Sequence, residues 1–370
     1  MSADHRAFDG ALGRCLVTGA AGFVGRHLVL ALLREGYPVR ALIRNTPLPL
    51  EDPLLEVVRG DVEDRARMRT VCEDVDCVFH TAANMALFGG RALPGRDRRA
   101  SYATNVEGAQ NVVAACQEHG VKRLVHTSSI DVCFNMEEDE HVDSHTPYAT
   151  HVTDLYTETK ILAEKVILEA NGEAGLLTTA LRPDGIYGPD RNLMLDRLFE
   201  QLVSGRFVAT IGGSGATHDH IYIDNLIYAE ILASQHLVPG SPVCGRAYFV
   251  GDGKPMPMFE FFRPMTEALG HRMPRVDVPA KPVMLAMRAW QYLHFKLGIP
   301  RPLFTPHELA KLTISHFGTN EEAAHDFGYE PLVSADEAMQ RCIDYYERKL
   351  GGHVPRSGGL RSRAGRQLEQ

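Results

Sequence analysis

The chain is expected to fold as a doubly wound, parallel α/β sheet with a smaller C-terminal substrate lobe, and three observations predict this. Short β-rich runs alternate with longer helical patterns from Arg14 onward, the signature of successive βαβ units. A glycine-rich turn separates the first such run from the first helical pattern. After Arg182 the order loosens, with turn signals at Gly185, Gly188, Pro189, Gly212, Gly213 and Gly215, as expected where segments leave a sheet to build a lobe. A length of 370 residues suits one large α/β unit plus such a lobe.

Six strands are expected, at Cys15–Thr18, Val39–Ile43, Leu55–Arg59, Cys77–His80, Leu124–Thr127 and Thr178–Arg182. Between them lie amphipathic helices. One spans Phe23–Arg34, with Val24, Leu28 and Leu32 on a single stripe, and another spans Val106–His119, with Val106, Ala109, Val113 and Cys116 aligned. The expected division is 12–182 for the dinucleotide-binding domain and 183–347 for a mainly substrate-binding lobe, some of whose segments return to the sheet. The Gly- and Arg-rich segment 351–370 is expected to be a flexible tail.

Composition excludes several function classes. Hydrophobic residues make up 44% and charged residues 23%, values of an ordinary folded chain rather than a disordered one. A net charge of −8 leaves no broad positive footprint for nucleic acid. The seven cysteines form no CxxC pair, so free thiols in a reducing cytoplasm are expected rather than a disulfide frame, and no metal site is expected. The stretch from Met1 to Gly13 is charged and has no apolar block, so neither a secretion signal nor a transit peptide is expected there. No run reaches the ~18 apolar residues a membrane-spanning helix requires.

The chemistry begins at Thr18-Gly19-Ala20-Ala21-Gly22-Phe23-Val24-Gly25. Gly19 permits a tight turn, Gly22 lets the backbone approach a pyrophosphate, and Gly25 lets the helix pack on the strand. Phe23 and Val24 open a helix whose N-terminus offers free N–H groups. This makes the sheet Rossmann-type and the cofactor NAD(P). The second strand ends Ile43-Arg44. Ile43 cannot accept a ribose hydrogen bond and Arg44 suits a 2′-phosphate, which favours NADP; alternatively Arg44 is a solvated strand-end charge. Asp61 and Val62, just past the third strand, are expected beside the adenine, and the small Ala82 and Ala83 after the fourth strand let a cofactor lie against backbone.

Tyr156-Thr-Glu-Thr-Lys160 places a phenol and an ammonium one helical turn apart, hence on one face. A neighbouring ammonium lowers a phenol's pKa by ~1–3 units, so Lys160 is expected to make Tyr156 usable for proton transfer near neutrality. Ser129 or Ser128, at the end of the fifth strand, is placed to hold a substrate oxygen. Asn105 opens a helical pattern, either as an N-cap or with a cofactor-side or water-relay role. The acidic stretch Met136-Glu-Glu-Asp-Glu140 reads as a solvated loop or lid.

Taken together, TGAAGFVG, HTAA, NVEGAQNV, VHTSSIDV, YTETK followed by Ala163-Glu164, and Leu181-Arg182-Pro183-Asp-Gly-Ile186-Tyr187-Gly188 resemble an extended short-chain dehydrogenase/reductase. Within that superfamily the chain is similar to the 3β-hydroxysteroid dehydrogenase family, especially its bacterial members, over roughly residues 12–347. The resemblance implies NAD(P)-dependent interconversion of a 3β-hydroxyl and a 3-oxo group on a sterol. It makes Ser129, Tyr156 and Lys160 the catalytic residues, and places Gly19, Gly22 and Gly25 in the cofactor loop and Pro183 and Ile186 along the nicotinamide. It further implies that Tyr248 and Asp252 match the pair that moves a Δ5 double bond to Δ4 in some members. Many steroid members carry an acid near the end of strand two, so the family favours NAD where Ile43-Arg44 favours NADP. Other readings are a reductase of another bulky 3-oxo compound, such as a long-chain β-keto acid or flavonoid-like ketone, a nucleotide-sugar epimerase, and a dinucleotide sensor without turnover. Gly185-Ile186 stands where epimerases usually carry Asn.

Finally, 281–297 reads as a helix with Val283, Ala286, Trp290, Leu293 and Leu297 on one face. Met284, Leu285, Tyr292 and Phe295 lie among Arg288 and Lys296 on the other. Apolar residues on both sides point to contact with sterol, a bilayer surface or a second subunit as in a homodimer, unless the helix is simply buried between lobes. A cytoplasmic protein with peripheral membrane contact is the expectation.

Overall fold

The computed structural model describes residues 12–85, 95–152, 154–190, 192–213, 215–300, 302 and 304–350. Its central sheet has seven strands: β1 (Cys15–Thr18), β2 (Val39–Ile43), β3 (Leu55–Arg59), β4 (Cys77–His80), β5 (Arg123–Thr127), β6 (Leu177–Pro183) and β7 (Arg246–Val250). They lie in the order β7-β6-β5-β4-β1-β2-β3 and every pair is parallel. β1, β2 and β4 are buried along their whole length, as parallel strands covered on both faces must be, whereas β3 at the sheet edge is half-exposed.

The helices are α1 (Phe23–Arg34), α2 (Arg65–Val71), α3 (Gly95–Tyr102), α4 (Gly108–His119), α5 (Leu155–Glu169), α6 (Leu193–Val203), α7 (Ile223–His236), α8 (Met258–Ala268), α9 (Ala280–Leu297), α10 (Pro306–Thr313), α11 (Glu321–Phe327) and α12 (Ala335–Lys349). Strand residues alternate between two cores. Cys15, Val17, Ala41 and Phe79 pack with Leu28 and Leu32 of α1 and Leu226 of α7. Leu16, Leu42, Val78 and Leu124 pack with Met68 of α2, Val112 of α4 and Ile167 of α5. The period of two in the strands thus divides one sheet into two apolar layers.

Four of the six expected strands have the anticipated limits, and β5 and β6 extend them by one or two residues. A seventh strand, Arg246–Val250, stands beside the six expected ones and is a segment of 183–347 that returns to the sheet. The helix expected at Val106–His119 instead begins as a π-helical turn, Ala103–Glu107, before α4. The acidic stretch is not all loop, because Asp139–Val142 forms a strand pairing with His316–Gly318. All seven cysteines are free. The expected tail, 351–370, lies outside the described residues. Among the described residues no helix is long and apolar enough to cross a membrane, and no group of side chains is arranged to hold a metal ion.

Candidate active site

The strand order reverses between β1 and β4, and there the two following loops nearly touch. A Cβ on Gly19 would lie 2.8 Å from the Ala82 Cα, and Gly19 has a φ of +69° that an L side chain rarely adopts. A Cβ on Gly25 would overlap the Gly19 carbonyl oxygen. The Thr81 hydroxyl donates to the Thr18 carbonyl oxygen at 2.8 Å, joining the two loops. A cleft of about 530 Å³ opens at this switch point, lined among others by Gly19, Gly22, Arg44, Asp61, Val62, Ala82 and Ala83. The N-cap of α1 is Gly22, which offers no capping side chain, so the first N–H groups of the helix remain free for an anion. These residues fit a dinucleotide.

Phe23 and Val24 pack against the core instead of lining the cleft. Arg44 is exposed and makes only a long ion pair, 3.5 Å, to Asp61. Asn105 sits in the π-helical turn rather than at an N-cap. Its Oδ1 accepts from the Asn84 N–H at 2.6 Å, and its Nδ2 donates to the Asn84 carbonyl at 3.1 Å and to the Thr159 hydroxyl at 2.8 Å. It therefore ties the cleft-lining loop to the helix that carries Tyr156.

That helix, α5, starts at a cap supplied by Asp154, whose carboxylate accepts from the Thr157 N–H at 2.8 Å. Tyr156 lies in its first turn, half-buried, with its phenol beside Ser129. Ser129 follows the carboxyl end of β5, whereas Ser128 keeps its buried hydroxyl without a protein partner. Pro183 ends β6, the neighbouring strand, and Ile186 stands just beyond it.

Lys160 departs from expectation. Its ammonium donates to the Thr127 carbonyl at 2.6 Å and lies 3.3 Å from His126 Nε2. Because His126 Nδ1 faces the His80 carbonyl at 3.2 Å and must donate there, Nε2 is left as the acceptor for Lys160. Burial lowers Lys160 to about 8, against the pull of Glu164 and Glu230. Tyr156 is held above the ordinary phenol value by burial and by the Asp131 carboxylate, while Lys311 and the Ser129 hydroxyl act in the opposite sense. The largest influences on the phenol are thus burial, Asp131, Lys311 and Ser129, while the long Lys160 side chain is engaged at the end of β5.

Several groups at this site carry no sequence signal. Asp131 is buried two residues after Ser129, and Lys311 comes from α10 to meet it with Nζ 2.6 Å from Oδ1. Glu230 on α7 is fully buried beneath the strand, pairs with the Thr127 hydroxyl, and is pushed up to about 7 by burial. Only an acid inside an otherwise apolar helical pattern could have marked Glu230, and nothing local marks Lys311.

The two residues expected as an isomerisation pair hydrogen-bond to different partners. Tyr248, fully buried on β7, donates to Asp326 Oδ2 at 2.6 Å, towards α11. Asp252 accepts from the Tyr187 hydroxyl at 2.6 Å, the Tyr222 N–H at 2.9 Å and Asn225 Nδ2 at 2.7 Å, towards the start of α7. Each group spends its polar capacity on a different structural contact.

Comparison with known proteins agrees with this architecture. The model of the 3-beta hydroxysteroid dehydrogenase/isomerase family matches residues 16–280. A 3-beta-hydroxysteroid dehydrogenase from Mycolicibacterium neoaurum is 42% identical over 336 residues, 90% of this chain and 92% of the relative. A 3 beta-hydroxysteroid dehydrogenase/Delta 5→4-isomerase from Mycobacterium tuberculosis is 41% identical over 335 residues, 90% of each chain. Among solved structures, gox2253 superimposes with a TM-score of 0.72 at 25% identity, covering 90% of this chain and 98% of that one. A match running from β1 to the start of α9, with relatives alike over nine-tenths of their length, shows that this chain belongs to the 3-beta hydroxysteroid dehydrogenase/isomerase family.

Proposed function

We propose that this protein is an NAD(P)-dependent oxidoreductase that interconverts a 3β-hydroxyl and a 3-oxo group on a sterol. The observation that carries the reading is the Tyr156–Ser129 pair beside the glycine-cradled cleft, within a family whose relatives bear that activity in their names. The bound nicotinamide would supply the two-electron oxidant or reductant. In oxidation Tyr156 receives the proton of the carbinol oxygen, and in reduction it returns one, while Ser129 holds that oxygen in place. Lys160 steadies the end of β5 through the Thr127 carbonyl and His126. Residues 12–182 bind the dinucleotide, and most of 183–347 encloses the sterol. The assigned step is confined to the hydroxyl and oxo pair, since Tyr248 and Asp252 are engaged elsewhere.

NADP is the favoured cofactor. Arg44 is 61% exposed on its side chain and only weakly held, so it is free to take a 2′-phosphate that the end of β2 gives no acid to repel. The test is a turnover assay with a 3β-hydroxysterol and either NAD⁺ or NADP⁺, on the native chain and on Arg44→Ala. Sterol-dependent reduction of the nucleotide is expected, and Arg44→Ala should weaken NADP⁺ about tenfold while leaving NAD⁺ within about twofold. Equal effects on both nucleotides would reject the phosphate role. Absence of turnover with every sterol would reject the substrate class.

Contact with a bilayer surface follows from α9. None of its residues is fully buried, which removes the expected alternative of burial between lobes. Leu285 is 71% exposed, Tyr292 61% and Leu297 71%, and the helix's only charges are the basic Lys281, Arg288 and Lys296. A basic helix with exposed leucine and aromatic side chains suits the interface of an anionic membrane, where a sterol would be met. The native chain should float with vesicles containing phosphatidylglycerol, and Leu285→Asp with Tyr292→Asp should lower that binding about tenfold or more. Unchanged binding would exclude α9 as the contact. Release of a dimer on substitution would assign the face to a second subunit.

A further inference from the structure

The C-terminal lobe reaches Tyr156 through one short helix. His307 and Lys311 lie four residues apart on α10, so both project from one face. His307 Nδ1 is 3.1 Å from Asp154 Oδ2, and Asp154 is the residue that caps α5 two positions before Tyr156. Lys311 Nζ is 2.6 Å from Asp131 Oδ1 and 4.0 Å from Asp184 Oδ1. The Asp131 N–H donates to the Ser129 hydroxyl oxygen at 3.2 Å, and Ser129 lies beside the phenol. α10 thus grips the acids on either side of the phenol, and a capping box formed by Thr305 and Glu308 fixes its own first turn.

We propose that α10 is an electrostatic clamp on the active site, in which Lys311 is a positioning residue whose ammonium, held by Asp131 and Asp184, supplies the positive field at Tyr156. The assignment rests on Tyr156 being the proton-transfer group proposed above.

Charge balance around the clamp supports it. His218 Nδ1 lies 2.8 Å from Asp184 Oδ2, and its Nε2 lies 2.7 Å from the Lys311 carbonyl oxygen. Both partners are acceptors, so both ring nitrogens donate and His218 is a buried imidazolium. Two carboxylates, Asp131 and Asp184, therefore face two cations, Lys311 and His218. Removing Lys311 leaves two acids against one cation close to the phenol. The other groups facing this cluster are Asp154 at the cap of α5, His307 on α10, His316 on the strand beside Asp139–Val142, His220, and the buried Asp219, which burial pushes up to about 7. Burial holds His220 down to about 3, so it is neutral. Lys160 is turned to Thr127 and His126 and does not replace the missing charge. Lys311 acts against the upward push of burial and Asp131 on Tyr156.

The test reads the local field without sterol or turnover. In a Tyr156→Cys background, the pH midpoint of alkylation at that position, located by peptide mass spectrometry, reports the potential there. Adding Lys311→Met should raise the midpoint by about one pH unit, whereas adding Asp131→Asn should lower it, and Lys311→Arg should leave it within a few tenths. A merely structural role would move no midpoint, or would move Lys311→Met and Asp131→Asn in the same direction, and either result overturns the proposal. If Lys311→Met does not fold, the Asp131→Asn shift decides alone: downward supports the clamp, and no change or an upward shift overturns it. Failure of the sterol assay alone leaves this measurement intact, so the two readings fall separately.

Discussion

Tyr156→Phe is expected to lower turnover of a 3β-hydroxysterol by about a hundred- to ten-thousandfold, the usual worth of a positioned acid or base, while dinucleotide affinity stays within about twofold. The substitution removes one oxygen from a residue beside Ser129 and absent from the lining of the dinucleotide cleft, so the cleft itself is left as it was. Burial and Asp131 hold the phenol above its ordinary pKa, which keeps the residue protonated at neutral pH. Oxidation, which consumes the base form, should therefore climb with pH in the native chain, whereas the residual rate of Tyr156→Phe should lose that rise. Steady-state rates across pH, with nucleotide binding followed by fluorescence, check both statements. A variant that keeps more than about a tenth of native turnover removes Tyr156 from the chemistry.

Glu164→Gln is expected to cost about 3–5 kcal/mol of folding stability, the largest effect of any single substitution considered. Glu164 lies one turn beyond Lys160 on α5 and meets Arg182 of β6 through three hydrogen bonds, the shortest 2.6 Å, with side-chain exposures of 0% and 3%. The guanidinium also lies over the rings of Phe249 at 5.2 Å and Tyr148 at 5.5 Å. Neutralising the acid leaves a buried cation without its counter-charge, and a cation that is always protonated cannot escape by losing its proton. Replacing both partners together, as Glu164→Leu with Arg182→Met, should recover most of the loss. Denaturant unfolding measures both cases, and a single-variant cost under about 1 kcal/mol would show that the pair is solvated. Because the pair fixes α5 against β6, it also fixes Tyr156 relative to Pro183.

The strands were legible because a parallel strand covered on both faces reads as a short apolar run between turns, as Cys15–Thr18 and Cys77–His80 do. The glycine loop was legible for a similar reason, since a tight turn, a close approach and helix packing each exclude a side chain. That segments of 183–347 return to the sheet is legible, but not that Arg246–Val250 is the one, because five residues after a loosely ordered stretch look alike whether they join the main sheet or a minor ribbon. Tyr156 and Lys160 were found by helical spacing, but spacing fixes only where a side chain starts. Four methylenes let Lys160 turn to Thr127 and His126.

The sequence alone determined the doubly wound sheet, the dinucleotide cradle at Gly19, Gly22 and Gly25, and the presence of Tyr156 and Ser129 at the carboxyl edge, since each rests on contacts between near neighbours in the chain. Only the tertiary structure decided which charges act on that phenol, that Tyr248 and Asp252 serve different partners, and that α9 keeps its apolar face uncovered. Those outcomes depend on groups brought together from distant segments, Asp131 with Lys311 and Tyr248 with Asp326, and a field at a half-buried oxygen is set by distance in space, which local spacing does not encode.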